Sequence, residues 1–527
     1  MSRDFHFPGR SPVFSSEAMA ATSHPLATLA AVETLRAGGN AADAAVTAIA
    51  LLSILEPHMT GIGGDCFCLV AKPEELIWGY NGSGRAAAAM HAQRLIEQGI
   101  RAIDMNSIHA VTVPGAVEAW SAVLHRHGRF GLDQALAPAI RVAEDGVPVA
   151  PRVASDWALA AERLRPDPGA RRHFLPGGAA PATGDIVRMP GLAKTFKAIA
   201  QDGARAFYEG WIAEDIVATV SERGGVLTVG DFAAHRGEEA SPISTKYRGL
   251  DVVEIPPNGQ GLAALVLLNI LECFDLAALG PKDPERLHIA LEAARLAYAV
   301  RDTHIADPAF MRTAMPALLE RGFIADLAAR IDRSRRVQLP SAPAPHGDTV
   351  LVTIVDRDRM AVSMINSLFS SFGVGVATEK TGIVLHNRGW GFVVDPAHPN
   401  CIGPNKRPLH TIIPGLAMRG GRCEMPFGVM GGGYQAMGHA HFISNIVDYG
   451  MDVQAAIDAP RVFFEGEKTM VERGIPAAAI EGLKRRGHDV MARPLPLGGG
   501  QAIKIDWDRG VLIGGSDPRK DGCALGY

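Results

Sequence analysis

The chain lacks the features that would place it in several large classes. It has no long apolar run: the stretch around "AADAAVTAIALLSIL" is too short and too rich in alanine to span a bilayer. The opening "MSRDFHFPGRSPVFSSEAM" contains no apolar core of an export signal. Its six cysteines (Cys66, Cys68, Cys273, Cys401, Cys423, Cys523) are scattered, and the one close pair is C-x-C, so neither a disulfide framework nor a zinc ribbon is indicated. There is no excess charge of one sign. A formal charge of −4 over 527 residues leaves no electrostatic footprint for nucleic acid or an anionic membrane. These absences predict a cytoplasmic protein with neither nucleic acid nor membrane as partner. Apolar residues at 47% and charged residues at 20% are the balance of a chain able to bury a large core.

Catalytic signatures are also scarce. No G-x-S-x-G elbow is present, and no cysteine sits in a nucleophile motif. "NGQGLAALVLL" puts Gly259 and Gly261 at a helix start, but without the third glycine of a dinucleotide loop or the Gly-Lys-Ser/Thr of a P-loop. A tight turn before a buried helix explains it. His439 and His441 of "GHAHF" are two residues apart on a predicted helix, so they face different ways and no metal is expected. "GIGGD" (61–65) reads as a turn or bulge. For "GVMGGGYQ" (428–435) an amide-lined anion pocket is an equal contender, because glycine lets backbone N–H groups crowd a reacting oxygen.

What is present is an order of elements. Residues 25–55 read as an Ala-rich helix interrupted at Gly38-Gly39-Asn40, 65–80 as a hairpin, and 111–146 as a helical pair. Long helices follow at 191–203, 260–274 and 285–301. Beyond Thr349 strands dominate, at 349–356, 361–369, 382–386, 411–417, 425–430, 501–506 and 511–514, with one helix at 437–449. A helical first part and a strand-rich second part suggest an α+β layered sandwich with one core. The Pro/Ala-rich stretch 338–346 reads as an exposed loop, and it runs directly into the strand "TVLVTIV" at a single hydroxyl residue, Thr349. A threonine hydroxyl is a weak nucleophile unless a base adjoins it; a threonine that becomes a chain N-terminus carries such a base in its own α-amino group.

Seven stretches resemble the γ-glutamyltranspeptidase family of N-terminal-nucleophile (Ntn) hydrolases, in the family's order: "GGNAADAAV", "VPGAVEAW", "IPPNGQG", "EAARLAYAVRD", "GPNKRPLHT", "VDYGMDVQAAIDAPR" and "GGSDPRKDGCALGY". The resemblance implies a four-layer αββα sandwich made as one inactive precursor. Thr349 would attack the carbonyl of Asp348, giving a large chain 1–348 and a small chain 349–527 as partners in one core. In the mature site Thr349 would form an acyl-enzyme, with Gly431 and Gly432 as oxyanion hole and Ser367 bonding the Thr349 amine. No cofactor or metal is implied, and a homo-oligomer is compatible with the resemblance.

The departures bear on substrate. Where the family grips the α-carboxylate and α-amine of a γ-glutamyl group, this chain has Asn81, Phe369, Arg388, Gly391 and the pair His410-Thr411. A carboxylate for an α-ammonium is missing at Gly391, while Arg388 brings a cation suited to a bidentate carboxylate contact. The nearby Arg85 would restore the large chain's cation. The pattern resembles the oxamate amidohydrolase branch, so the expected substrate is a small amide carrying its own carboxylate. Hydrolysis or transfer of γ-glutamyl groups, as on glutathione, is the alternative enzyme, and a non-catalytic binding protein on the same fold the alternative of another class.

Overall fold

The computed structural model describes residues 9–338 and 347–527. Two seven-stranded sheets form its centre. In the first, strands run in the order Cys523–Gly526, Met19–Thr22, Asp348–Val355, Ala361–Phe369, Asp65–Ala71, Trp78–Gly82, Glu238–Ala240. The second has the order Val13–Ser15, Val511–Ser516, Gly499–Asp506, Arg422–Met430, Gly415–Arg419, Leu250–Glu254, Ile243–Tyr247. Every neighbouring pair in both is antiparallel. The sheets face each other through Asp348–Val355, Ala361–Phe369, Arg422–Met430 and Gly499–Asp506.

Helices cover both outer faces. Ala41–Leu55 lies on the first sheet, every one of its residues buried, and its alanines allow the close approach. Asn40 caps this helix in a reciprocal box with Asp43, which also accepts the backbone N–H groups of Arg129 and Phe130. Gly261–Glu272 and Gln435–Val447 cover the second sheet, with Pro284–His304 packed on the former. The result is the αββα sandwich expected of the sequence. Strands between two covered faces have no solvent side, which is why Ala361–Phe369 is buried at every position.

The first part is helix-dominated and the second strand-rich, as expected, but the two sheets are not divided between them. Strands such as Met19–Thr22, Leu250–Glu254 and Ile243–Tyr247 come from the first part, so both sheets draw on both sides of the Asp348–Thr349 bond. Residues 382–386 form only a single bridge, Ala377 to Val384. Their backbone groups are taken by loops instead: His386 N–H donates to Gly63 and Leu385 N–H to Val376. Of the expected exposed loop, 339–346 lies outside the described residues. No helix among the described residues is long and apolar enough to cross a membrane.

Candidate active site

Thr349 lies one residue inside the strand Asp348–Val355, buried, at an irregularity in the ladder. Asp348 pairs with Phe369 and Val350 with Asn366, so Ser367 and Leu368 together oppose the single Thr349. Such a bulge re-aims side chains, and here Thr349 Oγ1 comes 3.0 Å from Ser367 Oγ. Ser367 Oγ in turn accepts the Phe369 N–H at 2.8 Å. Phe369 itself has φ +76°, a left-handed conformation that an aromatic residue rarely adopts and that neighbouring structure must enforce. Gly347 threads the narrow space before the threonine: a Cβ there would lie 2.5 Å from the Phe369 carbonyl oxygen and 3.1 Å from Gly432 Cα.

The glycine loop follows the strand Arg422–Met430. Gly431 and Gly432 have φ of +126° and +56°, open to glycine without strain. Their carbonyls are held firmly: Gly431 accepts the Tyr434 N–H, and Gly432 accepts Gln260 Nε2 at 3.0 Å. Because each peptide unit is planar and trans, fixing the Gly431 carbonyl also fixes the direction of the Gly432 N–H. Gln260 Nε2 donates as well to the Thr411 carbonyl, at 2.7 Å, while its oxygen accepts Arg301 Nη1 at 3.0 Å. One amide thus ties the glycine loop to the His410-Thr411 segment.

Arg388 is wholly buried, its guanidinium carbon 3.9 Å from the centre of the Phe369 ring. Nη1 donates to Thr411 Oγ1 at 3.0 Å, whereas Nε and Nη2 have no partner among the described residues. Burial pushes this guanidinium down, to about 9, and the Asp65 carboxylate acts against that shift. Trp390 stands 5.3 Å from Phe369 and completes an apolar wall. Gly391 has no room for a side chain, since a Cβ would meet the Leu409 carbonyl at 2.6 Å.

The other expected residues are engaged elsewhere. His410 Nε2 donates to Asp65 at 3.0 Å and its Nδ1 accepts the Ile412 N–H, so the ring is a neutral tautomer. Burial lowers its pKa to about 3, with Arg388 adding to the effect. Asn81 bonds Asn258 and Ser83. Arg85 is ion-paired with Glu238 and Asp307 and donates to the Asn405 carbonyl. Contacts therefore group Thr349, Ser367, Phe369, Arg388, Thr411 and the glycine loop, while Asn81 and Arg85 belong to neighbouring networks.

Asp65, Gln260 and His386 are further parts of the site region that the sequence reading passed over. Asp65 closes "GIGGD", accepts the N–H groups of Gly84 and Gly115, and faces His386 as well as His410. Burial raises its carboxyl, yet His386, His410 and Arg388 outweigh burial and keep it ionised well below the usual range. Gln260 lies inside the Gly259–Gly261 stretch, which reads in the sequence as a tight turn before a buried helix and gives no sign of a side chain reaching the glycine loop. For a metal, "GHAHF" supplies a pair and not a set: His439 Nδ1 lies 2.6 Å from Glu254, which is distant in sequence, and His441 bonds Asn445. His288, Glu292 and His488 form a buried group with suitable donors, but each is committed. The two rings bond each other at 2.8 Å, and Glu292 takes Arg295 and the Val337 N–H.

This arrangement can be set beside known proteins. The chain is 38% identical to a glutathione hydrolase-like YwrD proenzyme of Bacillus subtilis over 98% of its own length and 99% of the relative's. It is 34% identical to an oxamate amidohydrolase proenzyme of Klebsiella pneumoniae, over 97% and 99%. The crystal structure of a cephalosporin acylase from Bacillus halodurans superposes with a TM-score of 0.93 at 37% identity, covering all of this chain and 99% of that one. The gamma-glutamyltranspeptidase family model matches residues 27–527. By these matches, and with the sandwich described above, the chain belongs to the gamma-glutamyltranspeptidase family.

Proposed function

We propose that the chain cuts itself between Asp348 and Thr349 and then, as an amide hydrolase of this family, hydrolyses a small amide that carries a carboxylate. In the cut, the Thr349 hydroxyl adds to the Asp348 carbonyl and the Thr349 nitrogen leaves. That nitrogen departs as the free α-amine, taking a proton, and water then hydrolyses the ester, leaving the Asp348 carboxylate and restoring the Thr349 hydroxyl. In turnover that amine takes the proton of the Thr349 hydroxyl as it attacks the substrate carbonyl, and returns it to the departing nitrogen. The N–H groups of Gly431 and Gly432 meet the negative charge that develops on the oxygen. Ser367, 3.0 Å from Thr349 Oγ1, is placed to orient the nucleophile. A second water releases the acid. The non-catalytic alternative leaves the joint presence of Thr349, Ser367 and the glycine loop without a purpose.

The observation that carries the choice of substrate is the Arg388 edge. A buried guanidinium with Nε and Nη2 both unpartnered among the described residues is costly unless an anion completes it, and that two-donor edge is the geometry a carboxylate fits. Phe369 and Trp390 keep the surroundings dry. A γ-glutamyl substrate brings an α-ammonium as well, and Gly391 offers it nothing. The unpaired cysteines fit a reducing compartment, and we keep the cytoplasm as the proposed location.

Two results are expected. First, short dicarboxylic-acid monoamides should be hydrolysed faster than γ-glutamyl-p-nitroanilide. Their rate should rise with pH as the Thr349 amine loses its proton, near the ordinary α-amino value of about 7.7–8.0, and should survive dialysis against EDTA. Faster γ-glutamyl turnover would reverse the choice of substrate, and loss of rate on chelation restored by zinc would remove the amine as base. Second, Gly347→Ala should slow the cut by tenfold or more, since its Cβ would press on the Phe369 carbonyl beside the scissile bond; about 1.4 kcal/mol of barrier suffices for that factor. Time courses on denaturing gels measure it, and an unchanged rate would show that this passage imposes no constraint.

A further inference from the structure

A carboxylate on Arg388 enters a wholly buried cluster, since Asp65, His386, Arg388 and His410 have no exposed surface. Before it binds, Arg388 and Asp65 carry one charge of each sign. Afterwards the cluster holds one negative charge in excess, which a buried site tolerates poorly. A proton taken up within the cluster would restore the balance.

The hydrogen bonds leave one place for it. Asp65 Oδ1 accepts the N–H groups of Gly84 and Gly115, at 3.0 and 3.1 Å, and Oδ2 accepts His410 Nε2 at 3.0 Å. The second nitrogen of His410 takes the Ile412 N–H, so a proton there would displace a backbone donor. His386 differs. Its Nε2 lies 2.9 Å from the Thr112 carbonyl, which can only accept, so the neutral ring carries its hydrogen on Nε2. The Thr112 hydroxyl lies 3.0 Å from the same nitrogen. Nδ1 is then bare: it has no hydrogen-bond partner among the described residues and faces Asp65 Oδ2 across 3.7 Å. A lone pair aimed at a carboxylate becomes an attractive N–H once it is protonated. In the free protein burial lowers the His386 pKa, Asp65 and the Thr112 carbonyl oppose that, and Arg388 adds to the lowering. An anion on Arg388 offsets this last effect. His235, whose ring also feels Asp65, lacks a partner among the described residues too, but burial and the cations Arg407, Arg85 and Arg236 lower it to about 3. Cys66 and Tyr208, which feel Asp65 as well, are raised well above their usual values by burial and stay neutral.

We infer that His386 is the charge-compensating residue of the anion site, taking a proton on Nδ1, towards Asp65, when the substrate carboxylate settles on Arg388. The Thr112 carbonyl keeps one N–H of the imidazolium and Asp65 gains the other. The role is one of positioning, exerted through Asp65 and Arg388 and not on the reacting atoms. It rests on Arg388 as the partner of the substrate carboxylate. Because the bound anion raises the His386 pKa, the proton favours binding at low pH, and that advantage is lost as pH rises through the raised value.

The test compares kcat/KM for the fastest dicarboxylic-acid monoamide with that for the neutral amide bearing a methyl in place of the carboxylate. The range is about pH 5.5 to 8, where the substrate carboxylate stays ionised. Their ratio cancels the Thr349 amine, which serves both. It should fall about tenfold across this range, through the KM of the anion, while kcat keeps its rise with pH. His386→Gln retains a donor for the Thr112 carbonyl and cannot become charged. Its ratio should be flat, close to wild type at the alkaline end and about tenfold below it at the acid end; a purely structural lesion would act alike at every pH. A wild-type preference for the anion that Arg388→Gln removes, but that is flat with pH, would overturn the role of His386 and leave Arg388 standing. A fall that persists in His386→Gln would assign the proton to another group and overturn it too. No preference for the anion at any pH would remove both residues from recognition. Should His386→Gln fail to mature, an indicator dye in weak buffer at about pH 6.5 follows proton uptake by the wild-type enzyme on adding acetate, propionate or butyrate, whichever inhibits best. Uptake that is absent in Arg388→Gln supports the assignment, and no uptake by the wild type removes it.

Discussion

Thr349→Ala should purify as a single uncut chain and hydrolyse no amide. One hydroxyl is asked to serve twice, first on the Asp348 carbonyl and then on the substrate, so its removal abolishes both steps. The expected loss in turnover is many orders of magnitude, because the nucleophile and, through failure of the cut, its amine base disappear together. Folding should be spared. The side chain is buried, but Ser367 Oγ keeps the Phe369 N–H when Thr349 Oγ1 is gone, so no new unpaired donor is created in the backbone. Thr349→Ser should be cut, more slowly, since it retains the hydroxyl and loses the methyl that restricts its rotamer. A gel shows the outcome directly: two bands from the Ala variant, split ahead of residue 349, would mean that another group cuts the chain.

How far the sequence could lead is clear from which contacts are local. The helix Ala41–Leu55 was legible because its cap, Asn40 with Asp43, lies within three residues and its alanines state how closely it packs. The strand Asp348–Val355 was legible because its apolar run ends at a single hydroxyl. The glycine run at 431–433 was legible as a turn or an amide-lined pocket, and the family resemblance pointed within it to Gly431 and Gly432, both of which have positive φ. What stayed hidden depends on residues distant along the chain. Gln260 joins Thr411 to Gly432 across the fold, and Asp65 gathers His386 and His410 beneath Arg388. Arg85 was expected near the substrate as the large chain's cation implied by the family resemblance, and only the folded chain brings Glu238 and Asp307 to claim it.

Arg388→Gln is expected to separate substrate selection from self-cleavage. The glutamine amide can still reach Thr411 Oγ1, but it removes the positive charge and the paired Nε and Nη2 donors, the two atoms without partners among the described residues. Losing a buried, charge-assisted carboxylate contact should cost about 2 to 4 kcal/mol in transition-state binding of an anionic amide, roughly 30- to 1,000-fold in kcat/KM. Two effects oppose this, and both are smaller. Removing a guanidinium whose burial already pushes it down relieves some desolvation, and Asp65 then loses one of the three groups that keep it ionised. The relief acts on the free enzyme and the complex alike, so it stabilises the protein without restoring affinity. Asp65 keeps His410, His386 and the N–H groups of Gly84 and Gly115, which hold its place. The cut at Asp348 should proceed at nearly the wild-type rate, because the attack needs the Thr349 hydroxyl and the scissile carbonyl and no carboxylate held at Arg388. γ-Glutamyl amides should remain poor substrates even in this variant, since Gly391 has no space for a carboxylate that would meet their ammonium. Kinetics on both substrate classes, with gels for the cut, decide the matter: an Arg388→Gln enzyme that keeps its rate on anionic amides would take Arg388 out of substrate recognition.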